Sequence, residues 1–314
     1  MPNAIELDQV TKRFGKQTAV DSIDVSVPEG SIYGFIGPNG SGKTTTLRMI
    51  LRIYQPDEGT VRVLGKTTGK TADNRLGYLP EERGLYKRMK VRDVLTYYAR
   101  LKGSYDCKDQ IDYWLDRLGA TQWAGKKVDA LSKGMAQKIQ FISAVVAKPQ
   151  LVIFDEPFSG LDPVNLESLK DAVLSLRESG TTIVFSTHDM EMAEKMCDAI
   201  FMIFNGKKVL DGSLDSIQAR YPADRVRVKI EYFPADGSLN QFGESAVPDV
   251  QGITDIEFNG QHHTFRLKHP DRIQEVLQKL SAQRVVSHFE VIKPSLHDIF
   301  VQIARPNEIN GSVK

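Results

Sequence analysis

The chain has 314 residues, a formal net charge of +1 at pH 7 and 41% apolar residues. This length predicts two domains of ordinary size, and the balanced charge argues against nucleic-acid binding, which normally needs a clear basic excess. Cys107 and Cys197 are the only cysteines, so neither a disulfide framework nor a zinc site is indicated, and a reducing compartment fits. The longest apolar runs, such as Phe201 to Phe204, are too short to span a bilayer. Since no secretory signal opens the chain either, we expect any membrane role to come through a partner.

Alternating strand and helix signals begin the chain. They predict strands at Ala4–Val10, Thr18–Val27 and Ser31–Ile36, followed by a helix at Thr45–Leu51. A glycine-rich turn separates the third strand from the helix, with the sequence Gly37-Pro38-Asn39-Gly40-Ser41-Gly42-Lys43-Thr44. A position between a buried strand and a helix is the context that phosphate binding requires.

This turn predicts a nucleotide-binding loop. Its three glycines let the backbone curl so that successive N–H groups point at anionic oxygens, and the helix N-terminus adds partial positive charge. Lys43 would reach the β- and γ-phosphates, and the Thr44 hydroxyl would bind Mg²⁺. Every residue of the turn, together with Thr45, is therefore expected to contribute to the nucleotide site. A turn that binds nothing is the alternative, which the complete pattern and both flanks disfavour.

Two later apolar runs, Leu151–Phe154 and Thr182–Phe185, predict strands covered on both faces of a parallel sheet. The first run ends in Asp155, which would hold Mg²⁺ through its water shell, and Glu156, which would polarise the attacking water. His188 follows the second run at a carboxyl end of the sheet, where its imidazole would contact the γ-phosphate.

Helical periodicity between Val91 and Leu118 predicts a helical insert at about 88–148 within the first domain. A further helix is predicted from about Ala136 to Ala147 at the end of this insert.

A second domain is predicted where the phosphate-handling motifs end, which divides the chain into 1–218 and 219–314. Val226 to Tyr232 alternate apolar and charged residues, as a half-buried strand does. An apolar helical stripe at Ile273–Leu280 and a strand at Val285–Ile292 complete a small α+β domain.

The segment Leu131-Ser132-Lys133-Gly134-Met135 closes the helical insert. At this point the chain resembles the ATP-binding cassette (ABC) family, whose signature is usually Leu-Ser-Gly-Gly-Gln, over about residues 4–215. The resemblance implies an α/β P-loop NTPase domain in which Phe14 stacks on adenine. Ser132 and Gly134 at a helix N-terminus make an anion site, and the family implies that its phosphate belongs to nucleotide held by the opposite subunit.

The resemblance also implies an ATPase subunit that uses ATP and Mg²⁺ and pairs head to tail with a second copy. It would drive integral-membrane permease subunits on separate chains from a cytoplasmic position at the inner face of the cell membrane. In its motif variants and its second domain, the chain is similar to the ATPases of type-2 exporters, including those similar to bacterial sodium exporters. The second domain is expected to serve in dimer contact or regulation.

Two departures from the family pattern stand out. Glu81 takes the place of a glutamine that contacts Mg²⁺ and the attacking water in the family, so it joins the expected catalytic and metal-binding residues. A carboxylate is a stronger Mg²⁺ ligand but donates no hydrogen bond when ionised. Lys133 and Met135 replace the signature's Gly and Gln, and Lys133 would either add positive charge near the γ-phosphate or face solvent.

Other functions fit less well. A soluble ABC-type ATPase of translation, regulation or drug resistance would usually carry two cassettes, and the chain has one phosphate loop. A GTPase or kinase leaves the segment around Ser132 unexplained, and no Asn-Lys-x-Asp motif occurs. No metal site is expected from the histidines of the second domain, since the adjacent His262 and His263 would face opposite sides of a strand.

Overall fold

A computed structural model describes residues 2–67, 73–82, 84–231, 252–260, 262–283 and 285–304. The chain divides into two compact units, Met1–Leu214 and Asp215–Lys314. This division falls a few residues before the predicted one. Arg83, in the loop after Glu81, and Tyr232, at the end of a predicted strand, lie outside the described residues.

The first unit contains two sheets and a set of helices. Its elements are, in chain order, β1 (Asn3–Phe14), β2 (Gln17–Pro28), β3 (Ile32–Ile36), α1 (Lys43–Ile50), β4 (Glu58–Val63), β5 (Lys66–Thr67), β6 (Leu76–Leu79), α2 (Val91–Leu101), α3 (Lys108–Arg117), α4 (Lys133–Val145), β7 (Leu151–Asp155), α5 (Pro163–Glu178), β8 (Thr182–Thr187), α6 (Met190–Met196), β9 (Ala199–Phe204) and β10 (Lys207–Ser213). Helix α7 (Leu214–Gln218) spans the division between the units.

The central sheet has the strand order β10-β9-β3-β8-β7-β6. All neighbours pair in parallel except β10, which is antiparallel to β9. Every residue of β3, β7 and β8 is buried, as expected for strands covered on both faces. The predicted α/β class with a parallel sheet is confirmed.

A second, antiparallel sheet has the order β2-β1-β4-β5. Its inward residues share one hydrophobic core with α1 and the central sheet, including the fully buried Ile5, Leu47 and Phe201. This core holds α1 against both sheets. The phosphate loop, which connects β3 to α1, is thereby held at the end of β3.

The predicted helical insert, at about 88–148, contains α2, α3 and α4. Val94, Leu95 and Leu115 are fully buried, so the helical period marks the packed faces correctly. Trp114 of α3 packs edge-on against Phe141 of α4, with ring centroids 5.7 Å apart.

The second unit is a small α+β unit, as predicted. Its elements are β11 (Arg225–Glu231), β12 (Ile253–Phe258), β13 (His263–Leu267), α8 (Ile273–Gln283), β14 (Val285–Ile292) and α9 (Leu296–Ala304), with the strand order β12-β13-β11-β14. Val226, Val228 and Phe265 form its core with Leu280 of α8. In the described parts of both units, no helix combines the length and apolar character needed to cross a bilayer.

Candidate active site

The candidate site lies at the carboxyl end of the central sheet. Ile36 at the end of β3 lies opposite Thr187 of β8, and Asp155 at the end of β7 lies opposite Ser186. A cleft of about 370 Å³ opens here. It is lined by Phe14, Gln17, Ala19, Asn39, Gly40, Gly42, Lys43, Thr44, Thr45, Glu81 and Glu156.

Gly37 shapes the phosphate loop and does not line the cleft. Its φ is +154°, and a Cβ atom there would stand 2.2 Å from the carbonyl oxygen of Ile203. The Gly37 N–H donates to the Thr187 carbonyl at 3.4 Å, and the Ser41 N–H donates to the Pro38 carbonyl at 3.2 Å. The N–H groups of Gly37 and Ser41 are thus bonded within the protein, and the contribution of Gly37, Pro38 and Ser41 to nucleotide binding stays a prediction.

Helix α1 presents its N-terminus to the cleft. The first intrahelical hydrogen bond runs from the Thr46 N–H to the Gly42 carbonyl at 2.9 Å. The N–H groups of residues 43–45 therefore have no acceptor within the helix and form the positive end of its dipole. Lys43 Nζ donates to the carbonyls of Gly37 at 2.7 Å and Pro38 at 3.2 Å, and lies 3.8 Å from Glu156 Oε1. Burial lowers the pKa of Lys43, and the neighbouring carboxylates, Glu156 foremost, oppose that shift.

Asp155 is held by two hydroxyl groups. It is 1% exposed, and its Oδ1 accepts hydrogen bonds from Thr44 Oγ1 at 3.3 Å and Ser186 Oγ at 2.5 Å. The Thr44 contact joins α1 to the end of β7, so the hydroxyl and the carboxylate predicted for metal binding lie side by side.

Glu156 meets His188 across the ends of β7 and β8. His188 Nδ1 lies 3.0 Å from Glu156 Oε1, and the Glu156 N–H donates to Ser186 Oγ at 3.1 Å. Burial raises the pKa of Glu156, while His188 and Lys43 act to lower it. Glu156 also has φ +50°, a left-handed conformation that costs energy for a non-glycine residue and is frequent at functional sites.

Glu81 lines the same cleft although it lies in the loop after β6. The loop is tied to α4, because Gln140 Nε2 donates to the carbonyls of Pro80 at 3.2 Å and Glu82 at 3.0 Å. The structure thus brings Glu81 to Thr44 and Glu156 from a different part of the chain.

Ser132 and Gly134 do not line the cleft of their own chain. Ser132 caps α4, since its Oγ accepts a hydrogen bond from the Met135 N–H at 3.3 Å. Lys133 is exposed, and its Nζ lies over Gly160, since a Cβ atom on that glycine would stand 2.4 Å from it.

Phe14 lines the cleft, and 44% of it is exposed. Its ring meets Tyr54 in an edge-to-face contact with centroids 5.4 Å apart, and Lys12 Nζ lies 5.6 Å from the ring centroid. These contacts hold the ring in place and leave exposed aromatic surface on which a base can stack.

The oxygen donors of the cleft fit Mg²⁺. Thr44, Asp155 and Glu81 offer hard oxygen ligands, and Mg²⁺ typically takes one or two carboxylates together with waters and substrate phosphates. Within the described residues, no group of three or more His, Cys, Asp and Glu side chains is arranged to hold a metal ion alone.

Sequence reasoning missed three residues of this site. Ser186 bonds Asp155 and the Glu156 backbone, and its place two residues before His188 was the available signal. Gln17 and Ala19 line the cleft from β2, and nothing in their local sequence indicated it.

Three family models match the chain, and one of them, an AAA domain described as putative AbiEii toxin, Type IV TA system, covers residues 127–193 inside the first unit. The other two cover separate parts of the chain. One describes an ABC transporter and covers residues 20–159, and the other describes the C-terminal domain of ATP-binding protein DrrA1-3-like and covers residues 212–304. The second match coincides with most of the second unit.

Similar proteins agree with these matches. An uncharacterized ABC transporter ATP-binding protein of Bacillus subtilis (strain 168) is 43% identical over 300 residues, which cover 95% of this chain and 97% of that protein. Nod factor export ATP-binding protein I of Paraburkholderia xenovorans (strain LB400) is 36% identical over 225 residues, which cover 70% of this chain and 74% of that protein. A solved ATP-binding subunit of an ABC transporter matches with a TM-score of 0.63 at 27% identity, covering 69% of this chain and 92% of that one.

The fold, the cleft and these similarities lead to one assignment. ABC ATPase domains bind ATP, and the matched ABC transporter region, residues 20–159, includes the phosphate loop. The resemblance inferred from the motifs is confirmed, and this chain belongs to the ATP-binding subunits of ABC transporters.

Proposed function

We propose that this chain hydrolyses ATP with Mg²⁺ in a head-to-tail homodimer and thereby drives export through separate membrane permease subunits. The observation that carries the proposal is the convergence of Lys43, Glu156 and His188 on a helix N-terminus. Such an arrangement suits phosphoryl transfer, where catalysis is mostly positioning and charge stabilisation.

Binding would use the positive end of α1. The triphosphate would accept hydrogen bonds from the free N–H groups of the loop, and Lys43 would exchange its carbonyl contacts for phosphate oxygens. Thr44, Asp155 and Glu81 would hold Mg²⁺, and the ion would neutralise part of the phosphate charge. Phe14 would stack on the base.

Hydrolysis would use Glu156 as the general base. Its carboxylate accepts a proton as a water molecule attacks the γ-phosphorus, and the bond to the bridging oxygen breaks to release ADP. His188, 3.0 Å from Glu156 Oε1, orients that carboxylate and contacts the γ-phosphate. The raised pKa of Glu156 makes it a stronger proton acceptor than an ordinary glutamate.

The second copy would complete each site. Ser132 and Gly134 begin α4 away from the cleft of their own chain, yet a helix N-terminus with a hydroxyl is a ready anion site. In a head-to-tail pair they would bind the γ-phosphate across the interface. Lys133, which lies over Gly160, would add positive charge at that interface.

Permease subunits would dock on an exposed aromatic area of α2 and the preceding loop. This tyrosine surface consists of Tyr86, Tyr97, Tyr98 and Leu101, whose exposed members include Tyr86 at 52% and Leu101 at 56%. The Tyr86 and Tyr97 ring centroids lie 5.3 Å apart, and Tyr98 Oη donates to the Gly84 carbonyl at 3.1 Å. A compact aromatic cluster beside the Glu81 loop is suited to report permease contact to the site.

Export is supported by the name of one relative, which acts in Nod factor export. The transported substrate would contact the permease subunits. The chain itself would be held at the inner face of the membrane by those subunits.

Affinity capture from detergent-solubilised membranes tests this proposal. The tagged chain should retain a multi-spanning membrane protein and hydrolyse ATP, whereas Tyr86→Asp/Tyr97→Asp should lose the membrane protein and keep basal hydrolysis. Tyr113→Asp is the control, because this exposed tyrosine lies on α3. Hydrolysis with no membrane protein retained would favour an ABC-type ATPase acting without transport.

A further inference from the structure

Gln140 occupies a buried position that packing does not explain. Its side chain is 2% exposed, and within the described residues its Oε1 makes no hydrogen bond. Burying an unpaired carbonyl oxygen is unfavourable, and methionine would fill a similar volume without that cost. The donor end of the amide is the part that makes hydrogen bonds, so its role is sought there.

The orientation of that amide follows from its partners. Two carbonyl oxygens, those of Pro80 and Glu82, face the same terminal atom at 3.2 and 3.0 Å. Only an NH₂ group can donate to both, so the atom is Nε2. Gln140 therefore binds the residue before and the residue after Glu81, and it fixes the backbone on both sides of that carboxylate.

Gln140 links α4 to residues 80 and 82, and Glu81 lies between these two anchored residues. The Glu81 side chain lines the cleft beside Thr44 and Glu156, so a small shift of residues 80–82 would move the carboxylate relative to the loop that binds phosphate. Gln140 stands eight residues after Ser132, which is about 12 Å along a helix rising 1.5 Å per residue. Helix α4 thus begins at Ser132, which is expected to contact the phosphate held by the opposite copy. The same helix carries Gln140, which binds the loop of Glu81 in its own chain.

We propose that Gln140 is a positioning residue that holds Glu81 in place to bind Mg²⁺ with the nucleotide. The inference rests on the proposed function, which assigns Glu81 to Mg²⁺. Gln140 does not line the cleft, and it would act through the two carbonyls that flank Glu81.

The test compares Gln140→Met with Lys138→Met in the full chain. Lys138 lies on the same helix, is 8% exposed and donates to the Leu118 carbonyl at 3.1 Å, so its replacement also removes a buried donor to a backbone carbonyl. Both variants are made with Glu156→Gln to stop hydrolysis. ATP affinity is then measured by calorimetry with Mg²⁺ and with EDTA, and the thermal midpoint reports folding.

The measured quantity is the ratio of ATP affinity with Mg²⁺ to ATP affinity in EDTA. Gln140→Met should lower this ratio by about 10-fold, because loss of a group that orients a metal ligand has an effect of this size. Affinity in EDTA should not change. Lys138→Met should lower the thermal midpoint without changing the effect of Mg²⁺. In a Glu81→Ala background, Gln140→Met should have no further effect, because the two residues act as one unit.

An unchanged Mg²⁺ effect in Gln140→Met, or an equal loss in Lys138→Met, would overturn the inference. If Gln140→Met does not fold, Gln140→Asn keeps the amide but is one methylene too short to reach both carbonyls, and the same reduction is expected. Absence of ATP binding in the Glu156→Gln parent would instead count against the proposed function.

Discussion

Glu156 is the side chain on which the proposed chemistry depends most. It is 9% exposed, has a left-handed backbone conformation and contacts His188. Backbone strain of this kind costs roughly 1–3 kcal/mol and persists only where the surroundings impose it. The Glu156 N–H bond to Ser186 Oγ at 3.1 Å is one such constraint, and the strain aims the carboxylate into the cleft.

Replacing Glu156 with glutamine should separate binding from hydrolysis. The amide keeps the size of the side chain but accepts no proton, so phosphate release in a single turnover should fall by about 100-fold or more. ATP affinity should remain near that of the native chain. Equal single-turnover rates in both forms would remove Glu156 from the role of base.

The pH dependence follows from the raised pKa of Glu156. The base must be ionised to accept a proton, and burial, its largest perturbation, moves the pKa upward. Hydrolysis should therefore decline on acidification at a pH above the value of about 4.3 usual for glutamate. Single-turnover rates at saturating ATP between about pH 4 and pH 8 measure the midpoint, with ATP affinity followed in parallel. A midpoint at or below the ordinary value contradicts this assignment.

The sequence predicted most single residues of the site but not their support. Local sequence was enough to predict three of them: Lys43 begins a helix, and Asp155 and Glu156 stand at the end of a buried strand. Ser186 and Gln140 act through contacts with segments 30 and about 60 residues away. Those contacts depend on which strands are neighbours, and local spacing does not contain that information.

The phosphate loop packs closely against β9. Gly37 sits where a Cβ atom would meet the Ile203 carbonyl of β9 at 2.2 Å. The sequence predicted the loop from its glycines, yet it assigned them all to phosphate contact. The structure adds a second reason why glycine is needed at position 37: the backbones of the loop and of β9 approach too closely there for a Cβ atom.

Gly37→Ala should destabilise the first unit more than Gly30→Ala. Gly30 also has positive φ, at +72°, but its Cβ would meet nothing within 4 Å. We expect about 1–2 kcal/mol for Gly30→Ala and about 3 kcal/mol or more for Gly37→Ala, where a backbone carbonyl must also move. Urea unfolding followed by tryptophan fluorescence reports on this unit, which contains both Trp114 and Trp123. Equal losses would contradict the packing argument.

Helix α4 shows why an element boundary was misplaced. The sequence predicted its start near Ala136, but the helix begins at Lys133 because Ser132 caps it. The serine was interpreted as an anion site alone, although a cap and an anion site use the same helix N-terminus.

At the scale of the whole molecule, the chain consists of two compact units. The α/β class and the α+β second unit were predictable, because hydrophobic periodicity distinguishes buried parallel strands from alternating ones. Strand order was not predictable, since β11 pairs with β13 and β14 across long stretches of sequence.

The second unit is proposed to act in dimer contact or regulation. Ending the chain after Leu214 should leave ATP affinity nearly unchanged, because every residue that lines the cleft precedes that point. The truncation should change at least one of two properties. These are dimer formation with ATP, measured in the Glu156→Gln form, and the rate of ATP hydrolysis, measured in the chain with native Glu156. Light scattering and phosphate release measure the two effects, and no change in either would reject a role of this unit in them.

The central claim is that two copies share each ATP site, and mixing two inactive variants tests it most directly. Lys43→Ala removes the cation of the loop. Ser132→Asp keeps a good helix cap but sets a carboxylate opposite the phosphate, and Ser132→Asn is its neutral control. If sites are shared, a mixed dimer contains one intact site, so the mixture should hydrolyse ATP faster than the sum of the two variants measured alone. A mixture no faster than that sum, with a native chain that is active, would contradict the account.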